Sequence, residues 1–158
     1  MKKIHFIILI VFFLNHCGFS PIYLQEKNID YNIQVGSVEG DRLINNLIVS
    51  QLNRNNNEET VDIIKIDINT EYKKTINSKN ATGAAASYEL VSVTLLDITK
   101  NNKTDRMVIN KKFILDKNDN SFDQNNYEKT IKETFAASIV EQLRFKLNSL
   151  EWLLNPLK

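Results

Sequence analysis

The chain has 158 residues, 42% of them hydrophobic and 25% charged, which suits a single globular domain and argues against a second full domain and wholesale disorder. Of its 20 basic side chains, Lys2 and Lys3 belong to a leading segment without acid, which leaves 18 against 19 acidic ones and a formal net of −1 beyond residue 16. A near-neutral domain of this kind is not a basic nucleic-acid binder.

Lys2 and Lys3 precede Ile4 to Leu14, a run that is apolar apart from His5. A charged start followed by a short apolar run is the layout of an export signal. These 11 residues would cover only about half of a ~30 Å hydrocarbon core as a helix, too little for a stable span. Residues 1–16 are therefore read as a signal peptide. Cys17, the single cysteine, follows directly, with Leu14 three positions before it and Gly18 after it. This arrangement resembles the lipobox of bacterial lipoproteins, which implies a diacylglycerol thioether on Cys17, cleavage just before it and acylation of the new amino terminus. Asn15 and His16 stand where that motif usually has small residues, and an ordinary signal peptide with a free thiol is the alternative. Each acyl CH₂ adds roughly 0.8 kcal/mol of membrane affinity, so three chains would anchor permanently. Gly18 in place of Asp resembles the sorting pattern of outer-membrane lipoproteins. A lone cysteine gives no internal disulfide, so stability must come from packing.

Residues 17–27 read as a lipidated tether, irregular around Pro21, which lacks a backbone donor and restrains its neighbour. Residues 28–158 read as one domain. Ile29, Tyr31, Ile33 and Val35 alternate with polar residues, the period of a half-buried strand. After Gly36 and Gly40, Asp41 is placed to cap a helix bearing Leu43, Ile44, Leu47, Ile48 and Leu52, which the polar run Asn53 to Glu59 ends. A second strand is predicted over Val61 to Tyr72, with a change of phase between Ile63 and Ile64 that is either a bulge or the strand's start. Ser78 to Ala86, with Gly83 inside, predicts a flexible loop before a third strand, Ser87 to Ile98. Asn101 to Asp105 predicts a turn and Arg106 to Leu115 a fourth strand. After the polar stretch Asp116 to Asn126, Tyr127, Ile131, Phe135, Ile139, Leu143 and Leu147 recur every fourth residue along a long helix. Ala136, Ala137, Leu150 and Trp152 widen that stripe, and Lys129, Lys132, Glu133 and Glu141 are expected to face water. The order β-α-β-β-β-α predicts an α+β two-layer sandwich: a four-stranded, mostly antiparallel sheet with two helices on one face.

Catalytic chemistry finds little to use. Both histidines, His5 and His16, lie in the leader, so imidazole-based triads and His/Cys zinc sites have no residues beyond residue 16 to draw on. The four glycines, at positions 18, 36, 40 and 83, form no phosphate loop. Glu58 with Glu59, and Asp116 with Asp119, are paired carboxylates of the sort that serves acid-base work, but solvated loop charge is the preferred reading of both. The segment Asp116 to Asn120 lacks the glycine and terminal glutamate of a calcium loop, and no metal or cofactor is expected. Lys73, Lys74 and Lys79, with Arg106, Lys111 and Lys112 on or near the fourth strand, are candidates for an anion-binding surface; a scattered solvated surface is the alternative. Leu150, Trp152, Leu153, Leu154 and Leu157 offer either a partner surface or a cap on the core.

The start Cys17-Gly18-Phe19-Ser20-Pro21-Ile22-Tyr23 resembles the Cys-Gly-Phe-x-Pro-Leu-Tyr start of LptE, the LPS-assembly lipoproteins, in their alphaproteobacterial form. Length and element order agree with that family. Asn46-Leu47 with Leu52-Asn53, and Ser87-Tyr88, echo it more loosely. The resemblance implies a non-enzymatic protein, lipid-anchored on the periplasmic side of the outer membrane. It implies a plug in the LptD β-barrel that contacts lipopolysaccharide and helps deliver it to the outer leaflet. Lys73, Lys74, Lys79 and Arg106 are the expected lipopolysaccharide contacts. The alternative is a periplasm-facing lipoprotein that scaffolds or activates another envelope enzyme or transporter.

Overall fold

The computed structural model describes residues 32–54 and 63–154, with side chains through residue 149. The expected signal peptide and tether, Cys17, and the side chains of Leu150 to Leu157 lie outside the described residues. The elements are β1 (Asn32–Gly40), α1 (Arg42–Asn53), β2 (Ile63–Lys79), β3 (Ala85–Lys100), β4 (Lys103–Asp116) and α2 (Ser121–Leu154). They form one four-stranded sheet in the order β1-β2-β3-β4, with β1 parallel to β2 and the other two pairings antiparallel. This is the α+β order expected from the sequence. The one parallel pair follows from chain path: α1 returns the chain to the starting end of the sheet, whereas the later strands are joined by tight turns.

Alternation along the strands fixes which face is buried. Ile64, Ile66 and Ile68 on β2, Leu90, Leu96 and Ile98 on β3, and Ile109 and Leu115 on β4 point to one side and are buried. Ile44, Ile48 and Leu52 of α1 and Ile131, Phe135, Ile139, Leu143 and Leu147 of α2 close over them. Each such side chain contributes roughly 1.5–3 kcal/mol on burial. Within the same face, Thr70 and Thr94 are buried and share a 3.0 Å hydroxyl hydrogen bond, which removes the cost of burying either alone.

Local chemistry sets the element ends. Asp41 caps α1, its carboxylate accepting from the Ile44 N–H at 3.0 Å. β1 continues past Gly36 because the strand bulges between Val35 and Val38, where Asp67 accepts from the Ser37 N–H (2.6 Å) and hydroxyl (3.1 Å). A Cβ at Gly36 would collide with the Asp67 carboxylate. Gly40 has φ +95° against the Thr70 carbonyl, which accepts from the Asp41 N–H at 2.8 Å. Ile63 is exposed and Ile64 buried, so the phase change there is the start of the strand.

Three connections differ from the sequence reading, and β2 runs on past Tyr72 to Lys79. The β2/β3 loop is shorter than Ser78 to Ala86, because the Asn80 side chain accepts from Thr82 N–H and Ala84 N–H at 3.1 and 2.9 Å and tightens it. The β3/β4 connection is only Asn101 and Asn102, both at positive φ (50° and 61°), as a two-residue hairpin turn demands. The last helix begins at Ser121 rather than near Tyr127, because the Asn120 side chain accepts from the Phe122 N–H at 3.0 Å and starts it six residues earlier.

Candidate functional site

Of the four candidate cations, Lys73 and Arg106 lie on the sheet face opposite the helices, in register with Val91 and Asp97 of β3. Six residues of β3 separate those positions, about 20 Å at strand spacing. Lys73 is paired with Glu71 at 2.7 Å, and Arg106 holds Asp97 in a two-point contact at 2.7 and 2.8 Å. That guanidinium keeps the Asp97 carboxyl below the usual aspartate range. Lys74, one residue on from Lys73, projects to the opposite face, where it meets Glu128 at 2.7 Å and lies 4.6 Å from the centre of the Tyr88 ring. Lys79 is exposed at the end of β2. The bare face also carries Lys112–Glu89 (2.9 Å) and Lys65–Asp67 (3.4 Å), around half-exposed Val108 and Ile114.

On the covered face, polar side chains join into a network that the sequence reading missed. Lys132, expected in water, has a side chain only 17% exposed; it donates to Asp41 at 2.8 Å and lies 3.8 Å from the centre of the Tyr72 ring. Tyr72 donates to one oxygen of Glu128 at 2.8 Å while Lys74 donates to the other. Burial opposes ionisation of Glu128, yet the donors Lys74 and Tyr72 and the charge of Lys132 hold it below the ordinary glutamate range. Burial and the adjacent Glu128 carboxylate push the Tyr72 hydroxyl pKa strongly upward, so it stays a donor. The reason lies in helix geometry: a four-residue spacing drifts about 40° per step around an α-helix, so the apolar stripe winds. At its first turn Tyr127 is half exposed, and Glu128 and Lys132 share the row that continues into buried Ala136 and Val140. Ala137 is exposed rather than part of the stripe. That row is the signal from which the network was readable.

A cleft of about 920 Å³ opens between the end of β4 and the start of α2, lined by Phe113 to Asp119 and by Asp123, Gln124, Asn126, Tyr127 and Thr130. Phe113 and Tyr127 meet edge to face with centroids 6.3 Å apart. Gln124 is buried; its side-chain oxygen accepts from the Asn118 N–H at 2.6 Å, and its Nε2 has no partner among the described residues. Among those residues no group of three or more His, Cys, Asp or Glu is placed to hold a metal ion, and no helix is long and apolar enough to cross a membrane.

No family model matches the chain, and no curated protein matches it. Solved structures do. Rare lipoprotein B from Shewanella oneidensis is similar with a TM-score of 0.58 and 14% identity, over 77% of this chain and 98% of its own. A putative lipoprotein from Caulobacter crescentus is similar with a TM-score of 0.55 and 12% identity, over 82% of this chain and 93% of its own. At these identities the likeness is one of fold.

Proposed function

We propose that this chain is a lipoprotein anchored through Cys17 on the periplasmic side of the outer membrane, where it plugs the LptD β-barrel and assists lipopolysaccharide transport to the outer leaflet. The observation that carries the reading is a conjunction. A leader too short to span ends at Cys17-Gly18-Phe19-Ser20-Pro21-Ile22-Tyr23, and the domain behind it has the fold of two proteins described as lipoproteins. Residues 17–27 act as the tether, and anchoring confines the search for a partner to the membrane plane. The role is non-catalytic: the domain supplies surfaces. Its loop tips meet the barrel wall, and Lys73 and Arg106 on the bare sheet face meet lipopolysaccharide phosphates through charge-assisted hydrogen bonds.

Gentle affinity purification of the native chain tests the partner. Recovery of a large outer-membrane barrel is the expected result; recovery of an inner-membrane transporter or a cell-wall enzyme in its place overturns the assignment. Cys17→Ser is expected to abolish palmitate labelling and leave precursor, and a labelled mutant would refute the anchor. Depleting the protein is expected to lower surface lipopolysaccharide and the level of the barrel together.

A further inference from the structure

We infer that the groove between β4 and the first turns of α2 binds an extended peptide segment of basic character, which adds to the sheet as a strand beside β4.

Among the described residues β4 is an edge, paired only with β3. The Lys117 N–H donates to the Ala86 carbonyl at 2.9 Å, extending the register in which Asp116 faces Ser87 and Leu115 faces Tyr88. In an antiparallel ladder the residues alternate between bonding the neighbour and pointing away from it. Lys117, Leu115 and Phe113 therefore bond inward, and Ile114 and Asp116 present N–H and C=O to the open side. Both line the cleft. Elsewhere β4 is guarded by Lys103, Arg106, Lys111 and Lys112, the charges that keep an edge from pairing. Two copies of β4 laid together near its middle would set Lys111 and Lys112 against each other, so a second copy of this chain is not the occupant.

The opposite wall has matching length. Asp123 to Thr130 rises about 10 Å along the helix, and the four residues Phe113 to Asp116 span about 13 Å of strand, so some four peptide residues fit between them. An extended segment held between a sheet edge and a helix gains main-chain hydrogen bonds from the edge and side-chain selectivity from the walls. Phe113 and Tyr127 supply apolar contact for alternate residues. Gln124 supplies a second, independent mark of a ligand: residue 124 is more than nine-tenths buried on the cleft wall, and its unpartnered Nε2 needs an acceptor. A peptide carbonyl is one.

Charge selects the peptide. Lys117 is occupied by Asp119 at 2.9 Å, while Asp116 and Asp123 have no cationic partner among the described residues. A lysine or arginine of the incoming strand balances them. The inference does not depend on the barrel assignment, because free peptides test it.

The test is fluorescence anisotropy of a labelled heptapeptide of alternating valine and threonine carrying two lysines, titrated with the full chain in detergent. Saturable binding is expected, at least tenfold weaker when glutamate replaces both lysines. Methylating the backbone nitrogens of alternate peptide residues is expected to cost at least tenfold in one register and little in the other, using only the unaltered protein. Ile114→Pro, which removes an outward N–H, is expected to cost tenfold without a loss of melting temperature. The inference is overturned by non-saturable binding, by equal affinity for the glutamate peptide, by insensitivity to methylation in both registers, or by a neutral oligosaccharide displacing the peptide.

Discussion

Replacing Lys132 by Met probes whether the covered-face network contributes to stability or is incidental. The ammonium makes a 2.8 Å contact with Asp41 and sits 3.8 Å from the Tyr72 ring centre, with the side chains of the pair 17% and 16% exposed. A hydrogen bond to a charged group contributes about 1.5–3 kcal/mol and a partly desolvated cation–π contact about 1–2. Methionine keeps the apolar stem and recovers part of this, so the expected loss is about 2–3 kcal/mol. With a urea dependence of about 1.5 kcal/mol per molar, the unfolding midpoint should fall by about 1.3–2 M. The loss should depend on pH in a definite direction. Burial opposes ionisation of Asp41, but the Ile44 N–H, Lys132 and the Leu43 N–H outweigh it and hold its carboxyl below the ordinary value. A carboxyl depressed in the folded state stabilises above its unfolded pKa of about 3.9 and loses that contribution as pH falls through the folded value. Glu128, also depressed, follows the same direction. Urea unfolding of both proteins, followed by circular dichroism at pH 7 and pH 3, is the assay. A difference below about 0.5 kcal/mol at pH 7 is too small for a charged hydrogen bond and would refute the reasoning, as would a gap undiminished at pH 3.

Leu143→Ala empties a fully buried site between α2 and the sheet and should cost about 2–5 kcal/mol in the same assay; a smaller loss would mean the helix settles into the gap. Gly40→Ala places a methyl group against the Thr70 carbonyl at φ +95°, so a loss above about 1 kcal/mol is expected, and a neutral result would show that the β1/α1 corner is not the strained turn described.

How much was legible in the residues varied with the physics involved. The strands announced themselves because one face is sealed by helices and the other is wet, so Ile64, Ile66 and Ile68 alternate cleanly with Lys65, Asp67 and Asn69. Asp41 was readable as a cap because it is a local device spanning three residues. The extension of β2 to Lys79 was not, because from Lys73 onward its residues are exposed on both faces and beyond Lys74, which still reaches Glu128, none is held by a helix among the described residues. Asn120 escaped notice because the turn it starts carries exposed Phe122 rather than core side chains. The hidden position of Lys132 depends on a carboxylate 91 residues away in the chain, a pairing that no local window contains. The cleft likewise arises from the meeting of β4 and α2. Whether the four candidate cations share a surface was not legible either, because adjacent strand residues such as Lys73 and Lys74 point to opposite faces.

The ion pairs across the bare face give it resident counter-ions. Lys73, Lys112 and Arg106 each already hold a carboxylate of the same sheet, so an incoming anion enters an exchange in which Glu71, Glu89 or Asp97 must be released to water. The net gain is the difference between two attractions, small for a single charge and decisive only for a ligand that engages several cations at once. A lone anion would gain little over those resident carboxylates, and a ligand bearing several charges would gain more.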